Sequence, residues 1–209
     1  MGFLQEFRGN VHLQEDVPSN EGFSDAVANM AAVGITIDRV AARDEVAVVG
    51  LIRKILADFP EAGTVLAATF RRLERMTSTY TAEGACYFVV RDQENGRIIG
   101  GAGLGPMAGL PFAEGVGEVR DMVLDQPYRG KGLARRLLQR CMIEAKSLHY
   151  KRVYLETTPQ MEKARRLFTS FGFKPVEQKI SSRDPSADVQ FPCYFVLDLT
   201  PVPPESIDD

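Results

Sequence analysis

The residues with the clearest chemistry are Arg-Gly-Lys-Gly at positions 129–132, between a strand pattern and a helix pattern. A helix begins with backbone N–H groups that have no partner inside the helix and with a partial positive charge. Gly130 and Gly132 let these amides approach a ligand closely, and Arg129 and Lys131 add full positive charges. The combination predicts a cradle for a pyrophosphate group. It is not a Walker A loop, which needs Gly-x-x-x-x-Gly-Lys followed by Ser or Thr.

The same segment is the most basic part of the chain. From Arg129 to Arg152 there are eight basic residues and one acidic residue, Glu144, whereas the whole chain of 209 residues has a formal net charge of −3. Such a concentration favours a polyanionic ligand, although the solvated face of a helix accounts equally well for part of it. Nucleic acid ranks last among the ligands, because no aromatic residues are interleaved with the basic ones and the cradle already accounts for several arginines. No nucleic-acid partner is therefore expected.

Composition and cysteine spacing disfavour several other classes. Cys86, Cys141 and Cys193 are widely spaced and odd in number, which favours free thiols in a reducing compartment and hence a cytoplasmic protein. None of them has a Cys or His neighbour at metal-ligand spacing, so no metal is expected. No apolar run is long enough to cross a bilayer, and the first residues lack a signal-peptide pattern. No membrane association is expected.

Hydrophobic periodicity predicts the elements that position the cradle. The predicted strands cover residues 35–41, 85–91, 97–104, 117–124, 153–156 and 188–199, and the predicted helices cover residues 44–59, 64–77, 131–148 and 160–170. The Asn95-Gly96 pair predicts a hairpin between the second and third strands. This order predicts one α/β domain with a mixed sheet over residues 35–199, after an irregular N-terminal extension (1–34) and before a disordered tail (200–209).

A glycine-rich run at residues 100–105 resembles a dinucleotide-binding loop only superficially. The spacing Gly-x-Gly-x-x-Gly fails because Pro106 stands at the place of the third glycine. The run also belongs to the return strand of a hairpin, not to a strand-to-helix turn. A bulge, or a strand lying against a ligand, is the remaining interpretation.

Residues 129–134 resemble the acetyl-CoA signature R/Q-x-x-G-x-G/A of the GNAT superfamily of N-acetyltransferases, with Arg129, Gly132 and Ala134 at its fixed positions. Residues 118–124 resemble the fourth strand of that family, and residues 155–157 resemble the end of its fifth strand. The next helix and turn match the family at Met161, Ala164, Leu167, Phe168, Gly172 and Phe173, with Phe168 in place of the usual tyrosine. Because several segments match in register, the resemblance extends over about residues 35–199.

The resemblance implies a fold and a cosubstrate, acetyl-CoA. In the family, a central and mostly antiparallel sheet splays its fourth and fifth strands apart, and the pantetheine arm lies in the gap. The backbones of Met122, Val123 and Leu124 would pair with that arm as a further strand does. The amides of Gly130, Lys131, Gly132, Leu133, Ala134 and Arg135 would hold the pyrophosphate, and the Arg129, Lys131 or Arg135 side chains would meet phosphate oxygens. Ala164 and Phe168 would line the far side of the thioester channel.

The implied reaction moves the acetyl group to a primary amine of a small molecule, an amino acid or a peptide by direct attack. A protonated amine must first lose a proton. Glu118 corresponds by position to the glutamate base of the histone-acetylating branch, and Glu156, at the end of the next strand, competes for that role. A buried Glu118–Arg120 ion pair explains Glu118 almost equally well. No general acid is assigned, because the phenyl ring of Phe168 cannot donate a proton.

Phe168 also leaves open a different class of function, a non-catalytic acyl-CoA-binding module. Strict alternation along the fourth strand predicts that Glu118, Arg120, Met122 and Leu124 share one face, with Val119, Asp121 and Val123 on the other. The carboxylates of Glu118, Asp121 and Glu156 weakly favour a cationic acceptor. The oligomeric state stays open, with a homodimer among the options.

Overall fold

The computed structural model describes residues 34–58, 69–176 and 193–199. The strands are β1 (Ile35–Arg39), β2 (Cys86–Asp92), β3 (Ile98–Pro106), β4 (Val116–Leu124), β5 (Arg152–Thr157), β6 (Lys174–Val176) and β7 (Cys193–Asp198). The helices are α1 (Glu45–Leu56), α2 (Met76–Tyr80), α3 (Leu133–Ser147) and α4 (Glu162–Thr169), and residues 69–73 are also helical. The expectations for residues 1–33, 59, 64–68, 188–192 and 200–209 lie outside the described residues.

The strands form one seven-stranded sheet in the order β1-β2-β3-β4-β5-β7-β6. Among the described strands β4 and β5 are parallel, and the other neighbours are antiparallel. A parallel pair needs a crossover connection, and α3 provides it. The predicted mixed, mostly antiparallel sheet is confirmed. The sequence did not predict β6, because three residues are too few to show an alternating pattern.

The two central strands separate along their length. The parallel pairing joins Val116–Val119 to Arg152–Leu155 and ends there. Beyond this point β4 continues to Leu124 in its pairing with β3, while β5 continues to Thr157 in its pairing with β7. The expected splay between the fourth and fifth strands is therefore present.

A β-bulge in β4 lies at the start of this splay. The register between β3 and β4 shifts between Gly101 and Gly103, so that Ala102 faces two residues, Asp121 and Met122. Asp121 has a φ of 52°, a left-handed conformation that is uncommon for a residue other than glycine. Such a bulge bends the strand that carries the extra residue.

The bulge also changes which side chains share a face of β4. Val119, Met122 and Leu124 pack against the core on the α3 side, whereas Val123 packs on the α1 side. The prediction that Met122 and Leu124 share a face with Arg120 is therefore wrong. The extra residue of the bulge shifts the alternation by one position.

Helices cover both faces of the sheet. On one face, α3 and α4 bury residues such as Leu137, Cys141 and Phe168 against the strands. On the other face, α1, α2 and residues 69–73 form a second core that contains Ile52 and Tyr80. The gap between β4 and β5 therefore has one hydrophobic core on the α3 side of the sheet and another on the α1 side. In the described part of the chain no helix is both long and apolar enough to span a bilayer.

Candidate active site

The loop before α3 has the backbone that the cradle requires. Gly130 and Gly132 both have a φ of 78°, and a Cβ atom at either position would meet no atom within 4 Å. The left-handed conformation, not crowding, therefore requires glycine at these positions. Because Gly132 caps the helix in this conformation, α3 begins at Leu133, two residues later than predicted. The first amides of α3 have no acceptor inside the helix and face this loop.

Two buried or partly buried aspartates anchor the same loop. The Tyr128 hydroxyl donates to Asp92 over 2.8 Å, and this bond holds the pKa of the Asp92 carboxyl below its ordinary value. Lys54 donates to Asp125 over 3.0 Å and lowers the pKa of that carboxyl. The Arg129 Nε atom donates to the Leu124 carbonyl over 2.9 Å. These bonds fix the path of the chain from β4 into α3.

One cavity of about 390 Å³ joins this loop to the gap between β4 and β5. The predicted cofactor residues that line it are Met122, Val123, Leu124, Arg129, Gly130, Ala134, Ala164 and Phe168. Both predicted base candidates, Glu118 and Glu156, line the same cavity. The structure therefore brings residues of the predicted cradle and the two carboxylates into one space.

The other predicted cofactor residues lie in the loop and first turn but do not line this cavity. The Leu133 side chain is buried in the core, and Gly132 has no side chain. The Lys131 ammonium lies 5.5 Å from the centre of the Tyr128 ring. Arg135 donates to Ser170 over 2.9 Å and stacks on a phenyl ring of the core. The contacts of these residues with phosphate remain predictions.

Part of the basic stretch is committed to other contacts. Arg140 lies 3.4 Å from Glu144 and 4.6 Å from the centre of the Phe88 ring. Arg152 lies 2.6 Å from Asp198 across β5 and β7. These two arginines therefore pair with protein groups and are not available as evidence for a polyanionic ligand.

Glu118 is both ion-paired and accessible to the cavity. Its side chain is only 5% exposed, and its Oε2 atom lies 3.4 Å from the Arg120 Nη1 atom. The predicted ion pair is therefore present, and the same carboxylate also lines the cavity. Glu156 is half-buried at the end of β5. Since Leu155 packs in the α3-side core, alternation directs Glu156 to the face that carries Glu118.

Asp121 is the centre of a buried polar network that sequence reasoning missed. Its side chain is 1% exposed. The Arg72 guanidinium donates to both carboxylate oxygens, over 2.9 and 2.7 Å. Thr69 and the Tyr80 hydroxyl also donate to this carboxylate, and the Tyr87 hydroxyl donates to the Asp121 carbonyl.

These contacts decide the charge of Asp121. Burial by itself raises the pKa of the Asp121 carboxyl, but the hydrogen bonds and charge of Arg72 outweigh burial and leave that pKa below its ordinary value. The carboxylate is therefore ionised and committed to Arg72. Asp121 accordingly gives no support to a cationic acceptor, and that part of the sequence-based expectation is wrong.

The glycine run of β3 provides the space for this network. A Cβ atom at Gly101 would lie 2.4 Å from the Tyr87 ring, and one at Gly103 would lie 2.3 Å from the Tyr80 ring. A Cβ atom at Gly105 would lie 2.6 Å from the Arg120 guanidinium. The run therefore accommodates large side chains beside a bulge. The run lies in β3, which pairs antiparallel with both of its neighbours, and so it does not form a strand-to-helix turn.

The cavity offers no evident acid for a leaving thiolate. Phe168 is buried, lines the cavity and packs against two other phenyl rings. The described residues that line the cavity include no tyrosine, and Tyr194 of β7 stacks on Tyr154 at 5.9 Å within another hydrophobic cluster. The described residues that line the cavity include no cysteine, serine or histidine. Across the described ranges, no group of three or more His, Cys, Asp or Glu side chains is placed to hold a metal ion.

Comparisons with known proteins agree with this geometry. The model of the acetyltransferase (GNAT) family matches residues 49–173. The uncharacterized N-acetyltransferase YjgM of Escherichia coli K12 is 29% identical over 152 residues, which are 71% of this chain and 87% of that protein. The N-acetylaspartate synthetase of Xenopus tropicalis is 38% identical over 77 residues, which are 34% of this chain and only 28% of that protein.

Solved structures share the fold. An acetyltransferase of the GNAT family from Staphylococcus aureus Mu50 superimposes with a TM-score of 0.64 at 17% identity, covering 79% of this chain and 99% of that one. YncA of Salmonella typhimurium, solved with its cofactor acetyl-CoA, superimposes with a TM-score of 0.58 at 18% identity, covering 80% of this chain and 95% of that one. At these identities the likeness concerns the fold.

Proposed function

This chain belongs to the acetyltransferase (GNAT) family, and from that premise we propose that it transfers the acetyl group of acetyl-CoA to a primary amine by direct attack. The amine belongs to a small molecule, an amino acid or a peptide. The observation that supports the proposal best is the cavity that Gly130 and Ala134 share with Glu118 and Glu156. One bound molecule of acetyl-CoA can therefore reach both the cradle and the carboxylates.

The residues present fit acetyl-CoA in two respects. The left-handed Gly130 and Gly132 leave open space where side chains would stand, so the amides at the start of α3 are accessible to a diphosphate. The β4–β5 pairing ends at Val119, and the backbone of residues 122–124 borders the gap. When bound, acetyl-CoA supplies the activated acyl group as a thioester.

We assign proton removal to Glu118. Its carboxylate is buried, lines the cavity and lies on the face of β4 opposite α3, where an acceptor approaches from the α1 side. The acceptor ammonium gives one proton to Glu118, directly or through water, and the neutral amine nitrogen then forms the new C–N bond as the C–S bond breaks. The second proton that the nitrogen loses on becoming an amide passes through water to solvent or to the departing thiolate. Glu156 contributes charge at the end of β5 and is the competing base.

Direct attack fits the cavity better than an acyl-enzyme. A covalent route needs an activated nucleophile, and the described lining contains no cysteine, no serine and no histidine that could activate one of its threonines. Burial raises the pKa of the Cys86 thiol to about 11 and raises the pKa of the Cys141 thiol as well. Both cysteines are therefore protonated and inert at neutral pH.

Phe168 determines how the leaving thiolate is protonated. Its ring cannot protonate the departing sulfur, so the thiolate leaves unprotonated or takes a proton from water. A free thiol titrates near ~8.5, which makes the thiolate a tolerable leaving group at neutral pH. The proposal therefore needs no general acid. The proposal also includes a cytoplasmic location and an amine acceptor as the partner, as the sequence predicts.

The test is release of free thiol from acetyl-CoA by the purified protein, screened over primary amines, amino acids and short peptides. We expect release that depends on an acceptor and on protein concentration, with the acetylated amine identified by mass spectrometry. Tight binding of acetyl-CoA without acceptor-dependent release across the panel would contradict the proposal. That outcome would instead favour the non-catalytic acyl-CoA-binding module.

A further inference from the structure

Arg72 and Arg120 line the cavity together with Glu118 and Asp121, and the hydrogen bonds of the two arginines differ greatly. We call this part of the cavity the acceptor side. Arg72 forms a paired interaction with one carboxylate, because its Nε and Nη2 atoms both donate to Asp121 at ordinary hydrogen-bond distances and Nη2 also donates to Thr69. Arg120 makes only long contacts, over 3.3 Å to the Pro106 carbonyl and 3.4 Å to Glu118. A guanidinium fork normally forms two short parallel bonds with one carboxylate.

Within the described ranges, the bonds of Arg120 use only one of its three nitrogen atoms. Both hydrogen bonds that the described residues give it use the Nη1 atom, and its buried Nε atom has no partner among those residues. The Tyr80 ring supports the guanidinium at 5.5 Å, and Gly105 makes room for it. A largely buried cation, 12% exposed, that packs on an aromatic ring but is poorly hydrogen-bonded requires an explanation.

The short distance between Arg120 and Glu118 favours a ligand that carries a carboxylate and an ammonium close together. The two charged atoms lie 3.4 Å apart and both residues line the cavity. In an α-amino acid a single carbon separates the ammonium from the carboxylate, so one zwitterion can reach both groups at once. Its ammonium would lie at Glu118, the proposed base, and its carboxylate at Arg120.

We propose that the acceptor is a free α-amino acid, whose carboxylate binds Arg120 and whose α-amine is acetylated. This inference rests on the proposed function. A polyamine fits less well, because a second cation would approach the Arg120 guanidinium. A peptide N-terminus replaces the carboxylate by a neutral amide, which cannot form the paired charge-assisted bonds of a guanidinium fork. Arg120 is thus assigned as the residue that selects the acceptor class.

The experiment compares each L-amino acid with its own carboxamide as acceptor. The two compounds share the side chain and the α-amine and differ in the carboxylate. We expect kcat/KM for the acid to exceed that for the amide by about ten- to hundredfold, as for a charge-assisted hydrogen bond, with most of the difference in KM. Thiol release from acetyl-CoA at fixed pH, corrected for the amine pKa of each compound, measures both.

Variants at Arg120 separate recognition from folding. In Arg120→Gln the acid-to-amide ratio should collapse towards one, and in Arg120→Lys, which keeps the charge without the fork, it should fall to an intermediate value. Arg75→Gln, an exposed arginine outside the cavity, is the matched control and should keep the ratio. Coenzyme A affinity, measured by calorimetry, verifies that each variant is folded.

The outcomes distinguish this inference from the proposed function. If amines accelerate thiol release but acids and amides react alike, or if Arg120→Gln slows both equally, the amino-acid inference is wrong and the acetyltransferase proposal stands. If no amine accelerates release, the proposed function fails. In that case the acceptor role fails with it, and calorimetry of amino acids against the coenzyme A complex tests the remaining claim, that Arg120 recognises the carboxylate. Amino-acid binding that is lost in Arg120→Gln supports this recognition, and no amino-acid binding overturns it.

Discussion

The cavity has two sides that are built in different ways. The cradle side is local and uses backbone, because residues 129–134 connect one strand directly to one helix. The acceptor side is assembled from side chains that are distant in sequence, since Arg72 and Tyr80 reach Asp121 from 49 and 41 residues away. If the proposed function is correct, a short motif suffices for binding the cosubstrate, whereas selection of the acceptor depends on tertiary contacts.

The largest expected effect is on the cradle side. Gly132→Asp should weaken coenzyme A binding about thousandfold or abolish it, because it forces a side chain into a left-handed backbone and places a negative charge at the diphosphate site. Isothermal calorimetry measures the loss. Gly96→Asp is the matched control, since Gly96 has a φ of 71° and open space but lies in the β2–β3 hairpin. Equal affinity of both variants for coenzyme A would contradict the assignment of residues 129–134 as the pyrophosphate cradle.

On the acceptor side, Asp121→Asn should lower the free energy of unfolding by about 3 kcal/mol, because it leaves the buried Arg72 guanidinium without its charged partner. Denaturant unfolding monitored by circular dichroism measures the change. Asp198→Asn breaks an ion pair that is far more exposed and should cost less than about 1 kcal/mol. Similar losses in the two variants would mean that the Asp121 network does not stabilise the acceptor side.

The same aspartate predicts a pH dependence of stability. Because the folded-state pKa of Asp121 lies below the ordinary value of 3.8, its contribution is fully present above that value and is lost as the pH falls through the folded pKa. The wild type should therefore lose more stability than Asp121→Asn when the pH is lowered from 5 towards 3 in denaturant unfolding series. Parallel curves would contradict the ionised, Arg72-bound state of Asp121.

Glu118 and Glu156, the two candidate bases on the acceptor side, are expected to differ in their effect on kcat. Glu118→Gln should lower kcat by about hundredfold, while coenzyme A still binds. Glu156→Gln should lower kcat by less than about tenfold, since it removes charge but not the proton acceptor. Steady-state thiol release over a pH series measures both. The reverse ranking would transfer the role of base to Glu156.

The smallest effect is expected at the position that departs from the family pattern. Phe168→Tyr restores a hydroxyl at the wall of the cavity and should change kcat by no more than a few-fold, because the thiolate already leaves without a general acid. The change should grow with pH if the hydroxyl supplies a proton. A rise of a hundredfold would show that the wild type is limited by protonation of the leaving group.

The parts of this fold that the sequence predicted depend on neighbouring residues. The hairpin follows from Asn95-Gly96, and the cradle follows from glycines placed before a helix. The Glu118–Arg120 pair could also be anticipated, because alternation puts residues i and i+2 on one face of a strand. Each of these features involves residues only a few positions apart.

The bulge at Asp121 could not be predicted in this way. A left-handed aspartate in the middle of a strand contradicts local propensity, and it is maintained by Arg72, Tyr80 and Tyr87 from other elements. The glycines of β3 were the available signal, since a run of glycines in a strand indicates a bulge or a close approach of other groups. Their partners, however, are set by the packing of the whole sheet.

The most direct measurement is a crystal structure of the protein with coenzyme A. We expect the diphosphate on the amides of residues 130–135, the pantetheine arm alongside residues 122–124, and the sulfur in the cavity that Glu118 and Phe168 line. A diphosphate bound away from the start of α3, or a sulfur remote from both carboxylates, would contradict the account.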